Sequence, residues 1–150
     1  MDLSTVNDHI EMVVPRPHFA GGFIRRLQVW ACISAAHILA RLSVPKIEWV
    51  LHSLAARARP AIVEAVGPRR VEIEALSASC SGEGCLKRSL AIFLLSFHDD
   101  HTVPTWKSGV QIEPFRAHAW VECAQVAVGE PSDFNSDEFL IAISIGVQND

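Results

Sequence analysis

Much of what would classify a sequence quickly is missing from these 150 residues. There is no concentrated basic surface: the formal net charge is −4, and the arginines gather only as Arg25-Arg26, Arg57 with Arg59, and Arg69-Arg70. Binding a phosphate backbone needs many cations on one face, so nucleic acid is not an expected partner. No apolar run reaches bilayer length. The most hydrophobic window, Leu27 to Ala40, contains Gln28, Ser34 and His37 and is flanked by Arg25-Arg26 and Arg41. A bilayer span takes about 20 apolar residues, so this window reads as a core helix, with an interfacial membrane role as the weaker alternative. The start, Met1-Asp2-Leu3-Ser4-Thr5-Val6-Asn7-Asp8, has acids and no basic segment before an apolar core. A signal peptide is therefore not expected, and a cytoplasmic location with free thiols at Cys32, Cys80, Cys85 and Cys123 is. No Gly-x-x-x-x-Gly-Lys-Ser/Thr pattern occurs, which speaks against an ATP site. Internal repeats, low-complexity tracts and linkers are absent too.

What is present is a hydrophobic chain, 49% apolar and 20% charged, long enough to bury about two-thirds of its unfolded surface around one core. Residues 1–22 carry Pro15, Pro17 and Gly21-Gly22 and read as an extended arm, with a short strand at Ile10 to Val14. Residues 23–150 read as a single domain. From Phe23 to about Leu42, Ile24, Leu27, Trp30, Ala31, Ile33, Ala36 and Leu39 recur at helical steps and predict a buried amphipathic helix with Trp30 and His37 in the core. Ser43 is placed to cap a second helix, which runs through Trp49 and Leu51 to around Arg57. Pro60 ends it, Ala61 to Val66 makes a short turn, and Gly67-Pro68 is expected to break the chain. Val71 to Leu76 suits helix or strand. A loop of small residues, Ser77 to Gly84, then leads into a strongly apolar helix from Cys85 to about Phe97. Asp99 to Pro104 reads as a loop with solvated acids. Alternation at Val110–Glu113 and His118–Cys123, then Val126–Val128 and a buried-type strand at Phe139–Ile145, predicts sheet. Helices first and strands afterwards is an α+β order.

The chemistry centres on Cys85. Gly82-Glu83-Gly84 lets the backbone turn sharply into the first helical turn, where unpaired N–H groups and the dipole favour a thiolate. A nucleophilic thiol needs a base, and that base needs an orienting group. His118 heads an alternating strand and is the best candidate base, whereas His98 and His101 sit in a polar loop and His9, His18, His37 and His52 lack a comparable context. The antiparallel return places Glu130 near His118, with Asp133 just beyond, and either carboxylate would hold the imidazole in the proton-accepting tautomer. Hairpin register favours Glu130 and keeps Asp133 a close second.

Cys85-Leu86-Lys87-Arg88-Ser89-Leu90, Gly109-Val110, Phe115-Arg116-Ala117-His118-Ala119-Trp120-Val121-Glu122 and Val128-Gly129-Glu130-Pro131 together resemble the B protein of lasso-peptide biosynthesis, a transglutaminase-like leader peptidase. The resemblance covers roughly residues 23 to 145. It implies a papain- or transglutaminase-like fold and a Cys-His-Asp triad that cuts a ribosomally made precursor between leader and core, with Cys85 as nucleophile and His118 as base. This chain departs from the pattern where the aspartate is expected, offering Glu130, or Asp133 after a bulge. Because the early residues resemble the peptidase's own helical lobe, the implied form is stand-alone. Its implied partners are the precursor's leader region, a separate small leader-binding recognition protein and the macrolactam synthetase. No cofactor is implied.

Two alternatives belong to other classes. A zinc module could draw on Cys80, Cys85, His118 and Cys123, although the Cys80–Cys85 gap is wider than the usual ligand pair. A non-catalytic protein could simply present precursor to a partner. Trp106 and Trp120 are candidate cleft walls, and Lys107 and Arg116 candidate peptide contacts.

Overall fold

A computed structural model describes residues 17–148 except Glu83. The expected strand at Ile10 to Val14 lies outside the described residues. Four helices come first: α1 (Phe23–Leu39), α2 (Val44–Ala55), α3 (Val63–Leu76) and α4 (Cys85–Asp100). Strand β1 (Arg59–Pro60) lies between α2 and α3 and pairs in parallel with β2 (Thr102–Val103). Then come β3 (Thr105–Gln111), β4 (Arg116–Cys123), β5 (Val126–Ala127) and β6 (Leu140–Ile145), an antiparallel sheet in the order β5-β4-β3-β6. The expected α+β arrangement, helices before an antiparallel sheet, is the observed one.

The core forms around α4. Leu90, Ala91, Ile92, Phe93 and Leu95 are all buried, because α1 and α3 pack on one side of the helix and β4 on the other. A helix apolar nearly all round has no face to offer water, and its neighbours leave it none. Of its two buried serines, Ser89 accepts at Oγ from the Trp106 indole at 2.9 Å, while Ser96 Oγ has no hydrogen-bond partner among the described residues.

Several sequence expectations are corrected. Gly67-Pro68 does not break the chain; it lies inside α3, which absorbs Val71 to Leu76 as helix. The proline sits in the second turn, so one backbone bond is lost. The glycine before it has no Cβ for the ring to strike, which relieves the usual bar to helix ahead of proline. Asp99 and Asp100 are not solvated loop acids. They end α4 and meet Arg25 and Arg69, with Arg25 Nη1 2.6 Å from Asp99, Arg69 Nε 3.0 Å from Asp99 and Arg69 Nη2 2.8 Å from Asp100. Thr102-Val103 is strand rather than loop.

The face of α1 is also rotated from the expected one. Val29, Cys32, Ile33, Ala36 and Leu39 are buried, while Ile24 (72%), Leu27 (53%) and Trp30 (43%) keep large exposed areas. Apolar residues occur on both sides of this helix, so periodicity alone had two answers. His37, expected in the core, is only half-buried, its ring nitrogens 2.8 Å from Ile33 O and 2.7 Å from Ser79 Oγ. Ser43 occupies the N-cap of α2 without a side-chain hydrogen bond. The strand expected to be buried, β6, is instead a sheet edge with Leu140 59% and Ile141 44% exposed. Among the described residues no helix is long and apolar enough to cross a membrane.

Candidate active site

Cys85 is the first residue of α4, and the turn before it is built around a close backbone approach. Gly84 lies against the 3-10 turn Ala78–Cys80, so tightly that a Cβ there would fall 1.9 Å from the Ser79 carbonyl oxygen. No residue but glycine fits at position 84. Arg88, one turn into α4, is buried and donates from Nη1 to the carbonyls of Cys80 (3.2 Å) and Gly82 (3.1 Å), tying that loop to the helix.

His118 reaches Cys85 from β4. Its Nε2 donates to Glu130 Oε2 at 3.0 Å, a carboxylate oxygen being able only to accept, so Nδ1 is the nitrogen left for the thiol. Glu130 stands just past β5, whose hairpin with β4 turns through Ala124 and Gln125, both at positive φ. The ring of His118 stacks at 5.8 Å on Trp120, and Phe134 (5.4 Å) and Phe139 (6.0 Å) bracket it from the loop leading to β6. Such packing removes rotamer freedom from the ring and fixes the direction of Nδ1.

The protonation states follow from these contacts. The hydrogen bond to His118 pulls the Cys85 thiol below its ordinary value, outweighing burial, and the backbone N–H of Ala119 adds to it. The same bond to Cys85, then that to Glu130, raises His118 to about 9 against the opposing effect of burial. Burial alone would raise Glu130; His118 and Arg70 outweigh it and hold the carboxyl below its usual range. Each of these shifts favours the charged form: thiolate, imidazolium and carboxylate in a row. The other cysteines go the opposite way, burial raising Cys32 and Cys80 and pushing Cys123 up to about 11.

A cavity of about 600 Å³ opens beside this row, lined by His118, Glu130, Arg116, Asp133 and Phe134 on one side and by Ser81, Gly82 and Arg88 on the other. Asp133 thus shares the cavity while Glu130 holds the histidine. Arg116 reaches the cavity; Lys107 does not, its Nζ lying 2.9 Å from Glu122 Oε2. Trp106 and Trp120 are not cleft walls but buried supports, Trp120 donating to Glu122 Oε1 at 2.9 Å. Among the described residues no group of histidines, cysteines and acids is placed to hold a metal ion, so Cys80, Cys85, His118 and Cys123 are not gathered as a ligand set.

Sequence reasoning missed Arg70, Glu74 and Arg88 as parts of the site. Arg70 reaches Glu130 Oε1 at 3.2 Å, and Glu74 Oε1 lies 2.9 Å from Arg70 Nε and 3.8 Å from Arg88 Nε. Arg70 and Glu74 are four apart on α3, a spacing that puts them on one face, yet nothing in sequence says that this face meets Glu130.

A family model described as transglutaminase-like superfamily matches residues 29–140. No curated protein and no solved structure matches the chain.

Proposed function

The chain belongs to the transglutaminase-like superfamily, a superfamily that includes cysteine peptidases, and we propose that it is itself a cysteine peptidase, one that removes the leader from a lasso-peptide precursor. The observation that carries this reading is the contiguous row Cys85–His118–Glu130, with the thiol shifted down and the imidazole up, beside a cavity that His118 and Glu130 line. The resemblance of the sequence blocks around these residues supports the choice of substrate.

In the proposed reaction the Cys85 thiolate attacks the carbonyl carbon of the amide at the leader–core junction. N–H groups of the first turn of α4, which precede the first intrahelical acceptor, are available to the developing oxyanion. The His118 imidazolium gives its proton to the leaving amine, the thioester forms as the C–N bond breaks, and the now neutral imidazole takes a proton from water for deacylation. Glu130 keeps the ring in one orientation and stabilises its charged form. The released core carries a free α-amine, which a macrolactam synthetase would consume. Partners in this scheme are the precursor's leader and a separate leader-binding protein that delivers it.

Mass spectrometry of a precursor incubated with the protein and its leader-binding partner tests the reading. Wild type is expected to separate leader from core, and Cys85→Ala and His118→Ala to leave the precursor intact. Unchanged cleavage by both variants would overturn the assignment, and stoichiometric zinc that is lost on Cys80→Ala would replace it with a metal module.

A further inference from the structure

The group that orients the catalytic histidine is a glutamate, whose side chain has one more rotatable bond than aspartate and therefore more freedom to lose on ordering. Something has to hold it. Arg70 touches the segment that carries Glu130 at three points. Its Nη1 donates to Glu130 Oε1 at 3.2 Å and to the Val128 carbonyl at 3.2 Å, two residues earlier. Between them Gly129 adopts φ +73°, and its missing side chain leaves the space the arginine stem fills: a Cβ there would lie 2.3 Å from Arg70 Cδ. The carboxylate is divided between two donors, Oε1 taking Arg70 and Oε2 taking His118 at 3.0 Å. Arg70 is itself anchored by its Nε–Glu74 bond at 2.9 Å, and Glu74 leads on to Arg88, which grips the loop before Cys85. A continuous ionic strut thus joins the base side of the site to the nucleophile side by way of α3.

We propose that Arg70 is a positioning residue for the reaction, fixing the Glu130 carboxylate so that one oxygen is presented to His118, with Glu74 and Arg88 bracing it against the nucleophile loop. This rests on the reading of Cys85 and His118 as the reacting pair. The charged and titratable groups facing Glu130 and Arg70 are Glu74 from α3, Cys85 and Arg88 from α4, His118 and Arg116 from β4, and Asp133 from the loop after β5. Removing Arg70 leaves a buried carboxylate with His118 as its one direct partner among the described residues. Glu130 then takes a proton at a higher pH, His118 loses its counter-charge, and the thiolate is lost with it.

The test needs no peptide substrate. The rate at which iodoacetamide alkylates Cys85, followed by mass spectrometry of the Cys85 peptide against pH, reports the thiolate directly. Arg70→Met is expected to move the acid limb of that profile upward by about one pH unit. Arg70→Lys, which keeps the stem and the charge but not the fork, is expected to move it less. In a Glu130→Gln background Arg70→Met should add no further shift, because its effect passes through that carboxylate, whereas a purely structural role would add in full. Profiles of both Arg70 variants that superimpose on a wild type possessing a low-pH limb would overturn the proposal, and so would full additivity with Glu130→Gln. An ordinary thiol profile in wild type would instead overturn the Cys85–His118 pair, and the role of Arg70 with it. If Arg70→Met does not fold, Arg70→Lys carries the comparison.

Discussion

Arg69 and Arg70 are neighbours in sequence, each joined to carboxylates, and they belong to different networks with different consequences. About 100° apart on α3, they face different neighbours. Arg69, with Arg25, meets Glu72, Asp99 and Asp100, so its network ties α1, α3 and the end of α4 together. Arg70 meets Glu74 and Glu130 and borders the cavity beside His118. The first network joins helix to helix, with Asp100 42% exposed; the second ends on a carboxylate that is 5% exposed and a histidine raised to about 9. Similar charges in similar pairings thus hold the fold in one place and set protonation states in the other. What separates the two roles is whether the chain of contacts ends on a reactive group.

Breaking each network by itself sharpens that contrast. The largest effect is expected at the carboxylates of the cavity: Glu130→Ala should lower cleavage by orders of magnitude, as removal of an orienting acid does, while Asp133→Ala, which removes no bond to His118, should change it only a few-fold. Equal losses would shift the orienting role towards Asp133. Next comes pH. With His118 near 9, cleavage should fall as the pH rises through that value, because the neutral ring has no proton for the leaving amine. Towards acid, activity should decline as the lowered Cys85 thiol and then the Glu130 carboxyl take up protons. Glu130 affects stability with the same sign. Its folded pKa is lowered from 4.5, so its contribution is present above that value and is lost as pH falls through the folded one.

Arg69→Met is expected to do the reverse of a change at Arg70. It takes one of two arginines from Asp99, which keeps Arg25, and the arginine from Asp100, which keeps Thr102, and should cost about 1 kcal/mol of stability, a fall of roughly 3 °C in melting temperature, while the alkylation profile of Cys85 stays in place. A displaced profile would mean that the two networks are coupled through α3. The smallest effect is expected from salt. Raising sodium chloride to 0.5 M or so should screen the exposed Asp100 end and lower the melting temperature by about a degree, leaving the buried Glu130–His118 pair unmoved in its pH profile.

Local patterning made much of this readable. Cys85 announces itself by the glycines before it and the apolar run after it, and His118 by its place at the head of an alternating strand; the turn arithmetic then put Glu130 within reach. Each of these depends on residues close in sequence, where helix and strand periods and hairpin geometry act directly. Failures came where a choice rested on distant neighbours. The inward face of α1 could not be picked because apolar residues lie on two sides of it, and only packing against α3 and α4 selects Val29 over Trp30. β6 looks buried by composition but lies at the sheet edge, a matter of strand order rather than of its own residues.

By itself, then, the sequence determined the α+β order, the place of Cys85 at a helix start, and the pairing of a histidine strand with an acidic return, since these follow from short-range geometry. Only the tertiary structure decided which arginine joins which acid, that Gly67-Pro68 passes inside a helix, and that α3 braces the site through Arg70 and Glu74. The arginine pairings depend on how elements far apart in sequence meet, 30 residues for Arg69 and Asp99, 60 for Arg70 and Glu130 and 74 for Arg25 and Asp99. A charged side chain carries nothing in its own neighbourhood that names its partner.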